Sequence, residues 1–190
     1  MREDAQQNRL RLVRATRDVV GLAGSLDVSV RDIASAAECS VATLYRHFDG
    51  KHDLVDAVSI MRWSRMAALA ATPEVHETPV EHVLSILETY TRMTTRDHRF
   101  ILAAGIEVGK KPAEHLRADF EPHFAQSWVS AQSAGHIRRT ADPRDAIDMA
   151  GVIRDPRRRI SMLALLAGGI CTDKVDVAGF AERAVSQRYE

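Results

Sequence analysis

The chain is predicted to be all-α, and three observations carry that expectation. Apolar residues recur at helical spacings along most of its length, period-two alternation of β-branched residues is scarce, and Asp-Pro pairs stand at 142 and 155, where an Asp N-cap followed by Pro starts a helix. The composition agrees: 45% of the 190 residues are apolar, 27% charged and only 5% aromatic, which suits a helical protein with a sizeable core better than a disordered or all-β one.

Leu12, Ala15, Val19 and Leu22 fall at i, i+3, i+7 and i+10, one face of a first helix, which the two glycines of GLAGSLD (21–27) then break. Ser29 with Asp32 three residues on reads as a capping box, and Val30, Ile33, Ala34 and Ala37 mark a second helix of about two turns. Glu38-Cys39-Ser40 leads to a third helix with Ser40 as its N-cap. Leu44 and Phe48, four apart, pack inward, so the step of about 100° per residue turns Ala42 and Arg46 outward. Two short helices joined by a tight turn form a helix-turn-helix.

A long fourth helix runs from about Lys51 to ATPE (71–74), with Leu54, Val58, Met61 and Arg65 on one face. Val80, Val83, Leu84 and Leu87 follow Pro79, and Leu116, Phe120, Phe124 and Trp128 form a later stripe in which Pro122 is expected to kink the helix. DPRD at 142 and DPRR at 155 are expected to start two more helices, the second carrying ISMLALLAGGIC (160–171). Val177, Phe180, Ala181, Ala184 and Val185 mark the last. There is no internal repeat and no low-complexity segment.

Charge and cysteine usage narrow the function. Lys and Arg number 26 against 26 acids, so no global positive field exists and any nucleic-acid binding must be local. Cys39 and Cys171 are expected as free thiols in a reducing compartment. The charged start MREDAQQNRLRLVRATRDVV lacks the apolar stretch of a signal peptide, and the 12-residue run at 160–171 is too short for about 30 Å of hydrocarbon. A cytoplasmic protein with no membrane partner is expected.

The third helix has a surface suited to DNA. Ala42 and Thr43 are small and Arg46 is a long donor, so this face can enter a major groove about 12 Å wide, with Tyr45, His47 and Lys51 beside it to meet phosphates. The stretch VSVRDIASAAECSVATLYRHFDGKHDLVDAV (28–58), with SVRDIA before the turn, TLYRHF after it and lysine three residues later, resembles the DNA-binding signature of the TetR family of bacterial transcriptional regulators.

The resemblance implies a helix-turn-helix domain in 1–50 and a larger helical ligand-binding and dimerisation domain in 51–190. It further implies a homodimer on a palindromic double-stranded DNA operator, with repression relieved by a small-molecule effector. By position, Arg31, Val41, Ala42, Thr43 and Arg46 fall where the family faces bases, and Ser40, Tyr45, His47 and Lys51 where it holds phosphates. The family usually has Gly where this chain has Glu38; a non-Gly residue in a left-handed conformation there costs roughly 1–2 kcal/mol. Ala42 replaces another frequent Gly and is harmless in a helix.

The resemblance also implies a cavity, and Met93, Phe100, Phe120, Phe124 and Trp128 are its candidate lining, which points to a largely apolar effector. Two recognition helices read a palindrome only when a two-fold axis sets them roughly 34–36 Å, or a multiple, apart. Ile160, Leu163, Ala164 and Ala167, with Phe180, Ala184 and Val185, are the candidate dimer interface, half of a four-helix bundle.

Other patterns read more plainly. His115, Asp119 and His123 have the spacing of ligands on one helical face, but Pro122 lies inside the run and no cysteine cluster accompanies it, so no metal is expected. Arg154, Arg157, Arg158 and Arg159 read as a solvated helix start. With no Gly-rich phosphate loop and no G-x-S-x-G elbow, neither an enzyme nor a cofactor is expected.

Overall fold

The computed structural model of the chain describes residues 2–104 and 114–186, with the side chains of 4–104 and 118–186. Among the described residues there are nine α-helices: α1 Arg2–Ala23, α2 Val30–Ala36, α3 Val41–His47, α4 Lys51–Ala70, α5 Pro79–Ala103, α6 Glu114–Ser133, α7 Pro143–Gly151, α8 Arg159–Ile170 and α9 Val177–Ser186. A short 3-10 helix, Pro73–Val75, precedes α5. No strand occurs among the described residues, and none of their helices is long and apolar enough to cross a membrane.

Two compact units result, Met1–Ser64 with Asp97–Leu116, and Arg65–Arg96 with Arg117–Glu190. The first takes in more than residues 1–50. Leu54, Ala57 and Val58 of α4 and Phe100 of α5 belong to the same buried cluster as Leu12, Ile33 and Leu44, because three helices of which two are only seven residues long cannot enclose a core by themselves. Leu22 corrects the expected face of α1: it is 77% exposed, whereas Val20 is fully buried. Ten steps of about 100° leave Leu22 well round the helix from Leu12. At Gly21 an added Cβ would lie 3.4 Å from the Phe100 backbone nitrogen, so glycine lets α1 and α5 approach closely there.

In the second unit, Val80, Val83, Leu84 and Leu87 of α5 are buried as their spacing requires. The α6 helix runs on through Pro122, with Phe120 and Phe124 stacked at 5.4 Å between ring centroids and Phe124 tilted 58° against Trp128 at 5.8 Å. Asp142 caps α7 as expected, its side chain accepting from Arg144 and Asp145 backbone N–H groups, with Pro143 next. The second Asp-Pro pair does otherwise. Asp155 Oδ1 accepts from Arg157 N at 2.9 Å and closes an Asx turn, so α8 begins only at Arg159. An antiparallel bridge pairs Ile137 with Cys171 and ties the loop before α7 to the loop before α9.

Candidate functional site

The α2–α3 corner is built from local rules. Ser29 accepts from Asp32 N at 3.0 Å while Asp32 Oδ2 accepts from Ser29 N at 3.3 Å, a complete capping box at the start of α2. The Ser29 hydroxyl, which donates to Asp32 Oδ2 at 2.6 Å, and then the Ser29 backbone N–H hold the Asp32 carboxyl below its ordinary pKa. At the other end Glu38 N donates to Ser35 O at 3.0 Å and Cys39 N to Ala34 O at 2.9 Å, the paired bonds of a Schellman motif. Such a motif needs a left-handed residue at Glu38, and its φ is 54°. Ser40 then caps α3, accepting from Thr43 N at 3.0 Å, with its hydroxyl also 2.8 Å from that of Thr43.

This corner fixes how α3 faces the solvent. Leu44 and Phe48 are 0% and 2% exposed and anchor the helix, and the Arg9 guanidinium lies 4.7 Å from the Phe48 ring centroid. Arg31, Ser40, Ala42, Tyr45 and Arg46 are exposed, and Val41, Thr43 and His47 are half-buried beside them. One candidate has another partner. The Lys51 ammonium donates to Leu26 O at 2.6 Å and to Val28 O at 3.3 Å, so it braces the α1–α2 loop instead of standing free at the surface.

The candidates for ligand and dimer contacts are dispersed. Phe100 is 1% exposed in the core of the first unit; Phe120, Phe124 and Trp128 are buried in the second, and Met93 is half-buried on α5. Trp128 Nε1 is buried with no hydrogen-bond partner. On α8 and α9, Leu163, Ala167 and Ala184 are only 1%, 0% and 3% exposed within a single chain, so they are intrachain core and not a surface awaiting a partner. Ile160, Ala164 and Phe180 are partly exposed, and Val185 is 42% exposed. The outward face of α8 carries Leu165, 77% exposed, with Gly168 and Gly169. Helical spacing marks an apolar face but not which chain covers it.

Two features escaped the sequence reading. Arg159, taken as part of a solvated arginine run, is buried, and its Nη1 donates to Glu88 Oε1 at 2.7 Å. The signal was its spacing with Leu163, Leu166 and Ile170 on the buried face of α8. The second is a cavity of about 430 Å³ in the second unit, reached from α5 on one side and the loop before α9 on the other, which none of the five pocket candidates lines. Of the three spaced metal-ligand candidates, Asp119 and His123 are exposed, and the His115 side chain lies outside the described residues.

Residues 12–58 match the family of bacterial regulatory proteins, tetR family. Solved structures extend the likeness along the chain. A TetR transcription regulatory protein from Mycobacterium vanbaalenii is 25% identical with a TM-score of 0.69, the match covering 90% of this chain and 99% of that one. A gamma-butyrolactone receptor described as ArpA-like is 19% identical, with a TM-score of 0.69 over 96% of this chain and 97% of that one. CprB from Streptomyces coelicolor, solved in complex with its biological operator sequence, is 19% identical with a TM-score of 0.68, covering 97% of this chain and 98% of the other. No functionally curated protein matches the chain.

Proposed function

We propose that the chain, whose residues 12–58 match the bacterial regulatory proteins of the tetR family, is a DNA-binding transcriptional regulator of that family, a cytoplasmic, ligand-responsive repressor that sits as a homodimer on a palindromic operator. The observation that supports this most is α3 itself: Ala42, Tyr45 and Arg46 stand out from a helix whose other side is locked by Leu44 and Phe48. Arg46 and Arg31 are the base-reading donors in this proposal, with Val41, Ala42 and Thr43 alongside them against the groove. Ser40, Tyr45 and His47 hold phosphates, while Lys51 shapes the surface by bracing Leu26 and Val28.

The homodimer uses the outward faces of α8 and α9, with Leu165 and Val185 as apolar contacts and Gly168 and Gly169 allowing close approach of the backbones. The effector in this proposal is a small, largely apolar molecule, a reading that rests on the aromatic residues Phe120, Phe124 and Trp128 of the second unit. The chain carries no catalytic role in this reading.

A mobility shift with the DNA flanking its own gene tests the proposal. A discrete complex that survives competition by unrelated DNA supports it. Equal displacement by any DNA contradicts it.

A further inference from the structure

Between Ala5 and Arg17 the α1 helix carries four arginines and no acid. Arg17 is engaged, its guanidinium 2.8 Å from Asp18 and 3.8 Å from Asp97. Arg9, Arg11 and Arg14 are exposed, and among the described residues no carboxylate lies within ion-pair distance of any of them. In a chain whose acids and bases balance, this is a local excess of positive charge.

Only Arg9 of the three is aimed by a contact with α3. Its guanidinium carbon lies 4.7 Å from the centroid of the Phe48 ring. Phe48 is the C-cap of α3, its N–H donating to Leu44 O, and it directly follows His47, the last residue of that helix. One residue before Arg9, Asn8 Oδ1 lies 3.9 Å from Cys39 Sγ in the turn that leads into α3. Neighbouring residues of α1 therefore touch the chain just before the recognition helix and just after it. Arg11 and Arg14 point elsewhere, because steps of about 100° turn them roughly 160° and 140° away from Arg9.

The stack decides what Arg9 can do. It occupies the face of the guanidinium and orients it, while the N–H donors lie in its plane and stay available. No acceptor of the protein among the described residues takes them up. A role that stopped at covering Phe48 would use the stem and the face and leave every donor idle.

We propose that Arg9 is a DNA phosphate ligand, held on the Phe48 ring at the C-terminal end of α3 so that its donors meet the backbone beside the groove that α3 enters. The contact deepens the DNA reading proposed above and rests on it. A planar fork of donors matches two phosphate oxygens and is indifferent to the bases, so Arg9 adds affinity for any duplex while Arg31 and Arg46 carry the preference.

Fluorescence anisotropy tests the contact, with a labelled duplex from the DNA flanking the gene and a scrambled duplex of equal length, each titrated with the full chain from about 50 to 200 mM salt. Arg9→Gln should bind both duplexes more weakly by the same factor, about tenfold, and its salt slope should be shallower by about one unit for each copy of the chain bound. Arg9→Lys, which keeps the charge, should keep the slope. Arg14→Gln removes the same charge from the same helix and should leave the slope as it is. An unchanged slope in Arg9→Gln would overturn the proposal, and a lowered melting temperature in that variant would then assign the arginine to covering Phe48. Equal loss of slope in Arg9→Gln and Arg14→Gln would also overturn it, because a general field and not a contact would then be at work. An unaltered chain that binds neither duplex contradicts the DNA reading, and the contact falls with it. Specific binding by the unaltered chain with the slope unchanged in Arg9→Gln removes the contact alone.

Discussion

Arg159 Nη1 donates to Glu88 Oε1 at 2.7 Å, and the two side chains are only 5% and 6% exposed. Arg92, three-fifths buried, faces the other carboxylate oxygen at 3.6 Å. Removing one member strands the other charge away from water, so Arg159→Met alone should destabilise the chain by about 3–5 kcal/mol, whereas Arg159→Met with Glu88→Leu should recover much of that loss. Urea unfolding of the three proteins checks this. Equal losses in the single and double variants would show that the pair is not coupled.

Lys51 gives a second expectation, about stability before DNA. Its ammonium donates to Leu26 O and Val28 O, so Lys51→Met should lower stability by roughly 1–3 kcal/mol with no DNA present. Thermal unfolding measures it. An unchanged midpoint would mean that the ammonium is free in solution and available to phosphate after all.

Glu38 carries the third. At φ 54° it holds a conformation that glycine adopts without strain, so Glu38→Gly should stabilise the chain by about 1 kcal/mol and leave the corner intact. Destabilisation by this change would mean that the Glu38 side chain makes a compensating contact.

The fourth concerns pH. His76 has its pKa lowered from 6.5, first by burial and then by His82, with Glu81 opposing. The unfolded chain therefore binds a proton more readily than the folded one just below pH 6.5, and stability falls as pH falls through that window, while above it the term vanishes. The drop in melting temperature between pH 7.5 and 5.0 should be smaller in His76→Gln than in the unaltered chain. An identical drop would show that His76 does not contribute.

Much of the amino-terminal unit was legible because its rules are local. Ser29 with Asp32, Ser40 as a cap, and the spacing of Leu44 and Phe48 each specify a dihedral or a face within a few residues, and the structure realises them all. What stayed hidden depends on residues far apart in sequence. Glu88 and Arg159 meet across 71 positions, and Lys51 reaches back 25 to Leu26, so no window of helical spacing reveals either contact. The same limit explains the dimer candidates: Leu163 and Leu165 sit two apart on one helix, one buried by the chain itself and the other left outside.

The most direct test of DNA reading by α3 is fluorescence anisotropy, with a labelled duplex from the DNA flanking the gene and a scrambled duplex of equal length, on the unaltered chain and on Arg46→Ala. The unaltered chain should prefer the flanking duplex by a factor of about 10³ or more, and Arg46→Ala should lose roughly 1–3 kcal/mol on that duplex while its binding to the scrambled one changes little. Equal affinity of the unaltered chain for the two duplexes, or a preference that Arg46→Ala leaves intact, would contradict it.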